Sequence, residues 1–150
     1  MKKADAIRKI RSFNRFYTNL IGVVNQHILD SSYSLTEARL LYELHHFPGS
    51  TARGVKKLLR VDEGYLSHTI DKLTRKGLIL KRRSTKDGRE VLLTLSNKGE
   101  REFQVIDQLS AREIGTLTLH LSGDDLDLLV KMMAEIEAML ARADASDARA

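Results

Sequence analysis

The sequence predicts a mainly α-helical protein that contains one small β-hairpin. Apolar residues recur at three- and four-residue spacing through most of the chain, as they do along one face of an α-helix. Two β-compatible runs, 78–83 and 90–95, depart from this pattern and flank a polar segment in which Asp87-Gly88 is a turn signal. Pro48 and Gly49 together end a helix and do not lie within one.

The first predicted helix covers residues 4–29. Its apolar positions follow helical spacing and are Ile7, Ile10, Phe13, Tyr17, Leu20, Ile21, Val24 and Ile28. The opposite face carries Arg8, Arg11 and Arg15, and the polar run 30–33 is predicted to end the helix.

Three short helices are predicted next. Ser34 and Glu37 form a capping-box pattern, with a second helix following through Leu40, Leu41 and Leu44. A third helix spans 51–59, with Val55, Leu58 and Leu59 expected to point inward. Asp62 is a good N-cap for a fourth helix, which ends at Gly77 and buries Leu66, Ile70 and Leu73. Two short helices joined by a tight turn, followed by a hairpin, predict a winged helix-turn-helix.

The C-terminal part is also predicted to be helical. Helical spacing resumes after Ser96 and Asn97 with Phe103, Ile106, Leu109, Ile114 and Leu117. Ser122 to Asp125 is another capping pattern, and a heptad-like seam follows with Leu126, Leu129, Met133, Ile136 and Leu140. The first and last helices carry more apolar surface than one small domain can hide, so we expect a homodimer.

Charge is concentrated in one segment. The chain has 25 Lys and Arg against 20 Asp and Glu, a net charge of +5. Between Lys72 and Glu90 there are eight basic and two acidic residues, so this stretch alone holds a surplus of six (8 − 2). A solvated face is the ordinary explanation of a charge run, but so one-sided a run directly after a helix-turn-helix pattern favours contact with phosphates of double-stranded DNA.

Several function classes are disfavoured. The chain has no cysteine, which removes disulfides, thiolate nucleophiles and Cys-based zinc sites. His45 and His46 are adjacent, so on a helix they point in different directions and cannot chelate one metal alone, and the other three histidines are scattered. There is no recognisable catalytic set or Gly-rich phosphate loop, so no metal, cofactor or enzymatic activity is expected. No apolar run approaches the ~18 residues of a membrane span. A cytoplasmic protein without a signal peptide is the expectation.

The outward face of the fourth helix suits base recognition. It carries Gly64, Tyr65, Ser67, His68, Asp71 and Lys72, whereas an ordinary solvent-facing helix is expected to be richer in Glu and Lys pairs. Such a face can enter the major groove. We expect Ser67 and His68 to influence base choice, because a hydroxyl or an imidazole can donate or accept at a base edge. Lys72 is expected to meet phosphate as a point charge.

The order of elements and several short motifs resemble the multiple-antibiotic-resistance regulator (MarR) family. The resemblance covers essentially the whole chain, although the terminal helices match by pattern only. Among its more specific features are Asp87-Gly88-Arg89 in the hairpin and the Leu-Ser-x-x-Gly of 95–99. The matching segments are 35–41, 61–68, 70–73, 76–79, 87–89 and 95–99.

The resemblance implies a single domain over 1–150, with the winged helix-turn-helix at about 35–96 and dimerisation helices at 4–30 and 97–141. It implies a repressor of near-palindromic operators that responds to a small aromatic or anionic effector, whose binding residues remain unknown. It also implies that Arg89 reaches the minor groove and that Asp87 positions it. The predicted DNA-binding residues are Gly64, Tyr65, Ser67, His68, Lys72, Arg75, Arg82, Arg83, Lys86, Asp87 and Arg89.

Three positions depart from the family pattern. Arg60 replaces the small residue or Gly usual at the turn, Lys56 replaces a small apolar residue, and His68 replaces Arg or another polar residue. The alternative function is a non-repressing interaction module, whose basic wing meets RNA or a protein partner such as an acidic protein or an acetyltransferase. The Gly64-Tyr65-Leu66-Ser67 stretch is also similar to MarR-type modules fused to acetyltransferases.

Overall fold

A computed structural model describes the backbone of residues 1–29 and 32–147, with side chains for 1–20 and 32–142. The chain divides into two compact units, Met1–Glu113 and Ile114–Ala150. The first contains the helix-turn-helix and the hairpin. Among the described helices, none is long and apolar enough to cross a membrane.

The described elements run in the order α1 (Lys3–Leu29), α2 (Leu35–His46), β1 (Ser50–Thr51), α3 (Ala52–Leu59), α4 (Glu63–Arg75), β2 (Ile79–Arg83), β3 (Val91–Leu95), α5 (Asn97–Thr118) and α6 (Gly123–Asp147). This confirms the predicted fold class, a mainly helical winged helix-turn-helix with long helices before and after it. The boundary between the two units falls within α5.

Helix ends follow the predicted capping signals. The Ser34 side chain accepts a hydrogen bond from the Glu37 backbone N–H, and the Glu37 carboxylate accepts one from the Ser34 N–H at 2.7 Å. Asp62 caps α4 by accepting from the Tyr65 N–H at 3.0 Å. Each cap satisfies backbone donors that the first helical turn leaves unpaired.

The sheet has three antiparallel strands in the order β1-β3-β2. In the hairpin Ile79 pairs with Leu95 and Arg83 with Val91, as the two β-compatible runs predicted. The two-residue strand β1 was not predicted. It pairs Ser50 with Leu93 and so ties the segment before α3 to the hairpin.

The core of the first unit lies where α2, α3, α4 and the hairpin meet. Its fully buried side chains are Leu40, Leu41, Leu44, Val55, Leu73, Leu78, Ile79 and Leu93. The prediction that Leu58 points inward is wrong, since it is 52% exposed. Val55 and Leu59, four residues apart, form the narrow buried stripe of this eight-residue helix, and Leu58 lies beside that stripe.

Long apolar stripes remain exposed on α1 and α6. On α1 they include Ile10, Phe13 and Phe16, and on α6 Met133, Ile136 and Leu140. In the second unit Ser122 caps α6 by accepting from the Asp125 N–H at 3.1 Å, as predicted. The predictions for Ile21, Val24, Ile28 and the helix break at 30–31 lie outside the described side chains and residues.

Candidate nucleic-acid interface

Helix α4 presents the predicted reading face to solvent. Its inward stripe of Leu66, Ile70 and Leu73 is buried, and this fixes the rotation of the helix about its axis. All six predicted interface residues of the helix are therefore exposed: Gly64, Tyr65, Ser67, His68, Lys72 and Arg75. The Lys56 ammonium of the neighbouring α3 lies 2.7 Å from the exposed Glu63 carboxylate at the start of α4.

The hairpin carries the remaining predicted residues. Arg82 and Arg83 lie on β2, and Lys86, Asp87 and Arg89 lie in the loop 84–90; all five are exposed. Among the described residues, no ion pair or side-chain hydrogen bond is formed by the cations of Arg82, Arg83, Lys86 and Arg89. Four unpaired cations at one end of a hairpin form a surface suited to phosphate groups.

The tip of the hairpin is held by its own hydrogen bonds. The Asp87 carboxylate accepts from the Arg89 backbone N–H at 3.0 Å, and the Asp87 carbonyl accepts from the Glu90 N–H at 2.9 Å. Asp87 therefore acts on the backbone that bears Arg89, and no contact with the Arg89 guanidinium is present in this part of the structure.

Ser84 is a residue that the sequence analysis missed. Its hydroxyl accepts hydrogen bonds from the Lys86 and Asp87 N–H groups, both at 3.2 Å. Its own N–H donates to the Glu90 carbonyl at 2.9 Å, which closes the loop. A serine that begins a polar loop and binds the backbone two and three residues later is a known turn signal, so the sequence did contain a clue.

The acidic residue Asp71 lies on the exposed face of α4 and forms an ion pair within the chain. Asp71 of α4 receives a hydrogen bond from the Lys81 ammonium of β2 at 2.6 Å. That hydrogen bond and the charge of Lys81 lower the pKa of Asp71, with smaller contributions from Arg75 and His68. This ion pair also joins α4 to the hairpin, so the charge of Lys81 is paired within the protein.

Lys72 also forms an ion pair within the protein. Its ammonium lies 2.9 Å from Oε1 of Glu37, whose side chain is 4% exposed, while the Lys72 side chain is 45% exposed. Burial alone would raise the pKa of Glu37, but Lys72 and the Ser34 N–H together lower it below its usual value. Sequence reasoning assigned Lys72 to phosphate and saw in Glu37 only a helix cap.

The junction between α4 and α5 explains the Leu-Ser-x-x-Gly motif. The Ser96 hydroxyl donates to the Gly77 carbonyl at 2.6 Å and accepts from the Gly99 N–H at 3.0 Å. A Cβ added to Gly99 would lie 2.2 Å from the Leu78 carbonyl oxygen. Only glycine allows the start of α5 to lie so close to the backbone at Leu78, directly before β2.

A cleft of about 520 Å³ lies between α3, α4 and the hairpin, with Leu66, Ile70 and Leu93 among its apolar residues and Ser67 and Lys81 among its polar ones. Among the described residues no group of three or more His, Asp or Glu side chains is placed to hold a metal ion.

Residues 33–91 match the family model described as the MarR family. The matched segment, which is less than half of the chain, is similar to a MarR-family domain. It contains the capping box, the helix-turn-helix and most of the hairpin. Arg60 stands at a turn where the family pattern has a small residue or Gly, and its φ of 52° and ψ of 43° are left-handed angles that normally favour glycine. Lys56, the second departure, extends its ammonium to Glu63.

Two curated transcriptional regulators are similar to the chain. HTH-type transcriptional regulator BilQ of Clostridium symbiosum is 42% identical over 57 residues, which are 38% of this chain and 40% of BilQ. The match to BilQ thus spans less than half of that protein. HTH-type transcriptional regulator MhqR of Bacillus subtilis is 23% identical over 123 residues, which are 82% of this chain and 85% of MhqR.

Solved structures show the same fold at low sequence identity. BldR of Sulfolobus solfataricus has a TM-score of 0.77 at 17% identity and covers 95% of this chain and 99% of BldR. Apo MarR of E. coli has a TM-score of 0.70 at 24% identity and covers 86% and 94%. BpsR of Bordetella bronchiseptica, whose DNA binding is regulated by 6-hydroxynicotinic acid, has a TM-score of 0.70 at 18% identity and covers 87% and 98%. BilQ, MhqR and BldR are named as transcriptional regulators.

Proposed function

We infer that the chain is a DNA-binding transcriptional regulator, and we propose that it is a dimeric, ligand-responsive repressor of a near-palindromic operator. One observation carries the DNA-binding part of this proposal. A helix face of short polar groups, Ser67 and His68 among them, lies beside a hairpin with four unpaired cations. A helix face of this kind can read base edges in the major groove, while cations position the protein on the phosphates.

The proposed interface has two parts with different roles. In α4, Gly64 allows close approach to a base pair, and Tyr65, Ser67 and His68 supply donors and acceptors. Arg75, Arg82, Arg83 and Lys86 neutralise phosphates, and Arg89, held by the Asp87 turn, enters the minor groove.

Dimerisation is supported by the apolar stripes of α1 and α6. In the described chain Phe16 is 62% exposed and Leu140 is 65% exposed, and burial of such side chains favours association. We propose that residues 4–30 and 97–141 form the dimer interface, so that two helix-turn-helix units read two half-sites related by a two-fold axis. Such a regulator acts on DNA in the cytoplasm. Its effector is proposed to be a small aromatic or anionic molecule.

A gel-shift scan tests the proposal. Overlapping 30-base-pair duplexes from the region upstream of the chain's own gene are titrated with protein at near-physiological salt, with a mixed-sequence duplex of equal length as control. The expected result is one duplex that binds at least ~10³-fold more tightly than the control. Equal, salt-labile binding to every duplex, or tighter binding to RNA, would contradict the repressor and favour the interaction module.

The dimer is tested separately by sedimentation at micromolar concentration, where the expected mass is about twice 17.0 kDa. Ile136→Asp should lower that mass, because it would place an unpaired carboxylate in an apolar interface. Glu137→Asp is the matched control at a polar position next to it. A monomeric wild type would refute the proposed dimer.

A further inference from the structure

We propose that Lys72 is a positioning residue of the reading helix, which acts through Glu37 and does not contact phosphate. This inference rests on the proposed function, because it concerns how the DNA-binding helix is held. It replaces the simpler expectation, taken from charge alone, that every cation between Lys72 and Glu90 meets DNA.

The two carboxylate oxygens of Glu37 have different partners. Oε2 accepts the Ser34 N–H at 2.7 Å and completes the capping box of α2. Among the described residues, Oε1 accepts no hydrogen bond of good geometry, and the Lys72 ammonium, 2.9 Å away, is the cation that forms an ion pair with it. One buried carboxylate therefore joins the start of α2 to the last turn of α4.

Moving the Lys72 ammonium to a phosphate would leave Glu37 unpaired. The Glu37 side chain is 4% exposed, so water has little access to Oε1 once Lys72 leaves. A buried carboxylate without a counter-charge is strongly unfavourable, whereas Lys72 in its present position supplies that counter-charge. A phosphate contact by Lys72 would have to offset that loss, and a wing cation such as Arg83 faces no such loss.

A second cation of the same helix end is held from the same segment. The Lys76 ammonium lies 4.8 Å from the centre of the Tyr33 ring, and the Tyr33 hydroxyl donates to the Glu102 carboxylate at 3.0 Å. Lys72 lies in the last turn of α4 and Lys76, four residues later, is its C-cap residue with helical backbone angles, so both lie on one side of the helix. Tyr33 and Glu37 thus face that side of the helix together and hold its C-terminal half.

The test uses the full chain with three variants. Lys72→Met removes the charge and keeps the length of the side chain. The double variant Glu37→Gln with Lys72→Met removes both charges, and the glutamine retains an acceptor for the Ser34 N–H. Arg83→Met is the matched control, which removes an unpaired wing cation.

Two quantities are measured for each variant. The first is the slope of log K against log salt concentration for a fluorescein-labelled 30-base-pair mixed-sequence duplex. The second is the melting temperature without DNA. If Lys72 is a positioning residue, Lys72→Met lowers the melting temperature by roughly 4–8 °C and the double variant recovers most of it. The salt slope of the double variant equals that of the wild type, while Arg83→Met reduces it by about 0.9 for each lost phosphate contact.

The proposal is overturned if the double variant shows the same reduction in slope as Arg83→Met, or if Lys72→Met leaves the melting temperature unchanged. Should Lys72→Met fail to fold, the slope of the double variant still decides. A wild type that binds no duplex would refute the proposed function, and the melting temperatures would then test the Glu37–Lys72 contact independently.

Discussion

Asp87→Ala distinguishes the effect of the hairpin loop's geometry from the effect of its charge, because the two predict opposite changes in DNA-binding affinity. Removing a negative charge near phosphates should strengthen binding if charge alone matters. At about 10 Å in water one such charge–charge interaction is worth about 0.4 kcal/mol before salt screening. The gain available from charge is therefore small.

The loss of binding free energy expected from the broken Asp87–Arg89 hydrogen bond is larger than this gain. The Asp87 carboxylate accepts the Arg89 N–H at 3.0 Å, and one such hydrogen bond contributes about 1 kcal/mol. An arginine contact in a groove is worth ~1–3 kcal/mol, and part of that is lost when the backbone under Arg89 loosens. We expect Asp87→Ala to weaken operator binding by roughly 1 kcal/mol in each protomer, about fivefold per wing.

Two companion variants sharpen the result in fluorescence anisotropy. Asp87→Asn keeps an acceptor for the Arg89 N–H and removes the charge, so it should bind as tightly as the wild type or slightly more tightly. Ser84→Ala changes no charge but removes the acceptor of two backbone N–H groups, so it should weaken binding by ~0.5–1.5 kcal/mol. Tighter binding by Asp87→Ala together with unchanged binding by Ser84→Ala would refute the role of the turn.

Three further predictions follow from single residues. Gly99→Ala should destabilise the fold by ~1–3 kcal/mol in urea denaturation, since its Cβ would clash with the Leu78 carbonyl oxygen. The control is Gly115→Ala on the same helix, whose Cβ would meet nothing within 4 Å and which should be neutral or stabilising. Because the pKa of Glu37 is lowered from its usual 4.5, its ionised form stabilises the fold above that pH, and this stabilisation disappears as the pH falls. Between about pH 5 and about pH 3, the melting temperature should therefore fall less for Glu37→Gln than for the wild type. His68→Ala should change the ranking of single-base operator variants in competition binding by ~1–3 kcal/mol at one base pair, and an equal loss for all of them would make His68 a backbone contact.

Local signals made most of the fold predictable. Capping at Ser34 and Asp62, the helix-ending Gly77 and the two hairpin runs act over a few residues, so the bounds of the elements could be read with small errors. The strand β1 could not be predicted, because a two-residue strand exists only through its pairing with β3. The exposure of Leu58 was missed because periodicity in an eight-residue helix does not decide between adjacent leucines.

The residues of the candidate site could be predicted from the sequence, but the ion pairs that two nearby lysines form could not. Every residue assigned to it is exposed, since exposure follows from the buried stripe of α4 and from the hairpin pattern. The partners of Lys72 and Lys81 are Glu37 and Asp71, which lie on other elements and are brought near only by folding. Counting charges along the sequence therefore overestimates how many cations are available to DNA.

Strand β2 lies at an edge of the described sheet, with β3 on its paired side. An edge strand offers free backbone groups to another chain and can start sheet-to-sheet aggregation, and natural proteins often block such edges with charged side chains. Lys81, Arg82 and Arg83 are three consecutive exposed cations on this edge. We therefore expect these three cations to oppose pairing of the edge with another chain, so variants that neutralise two of them together should aggregate more readily on heating than variants with charges removed from α6.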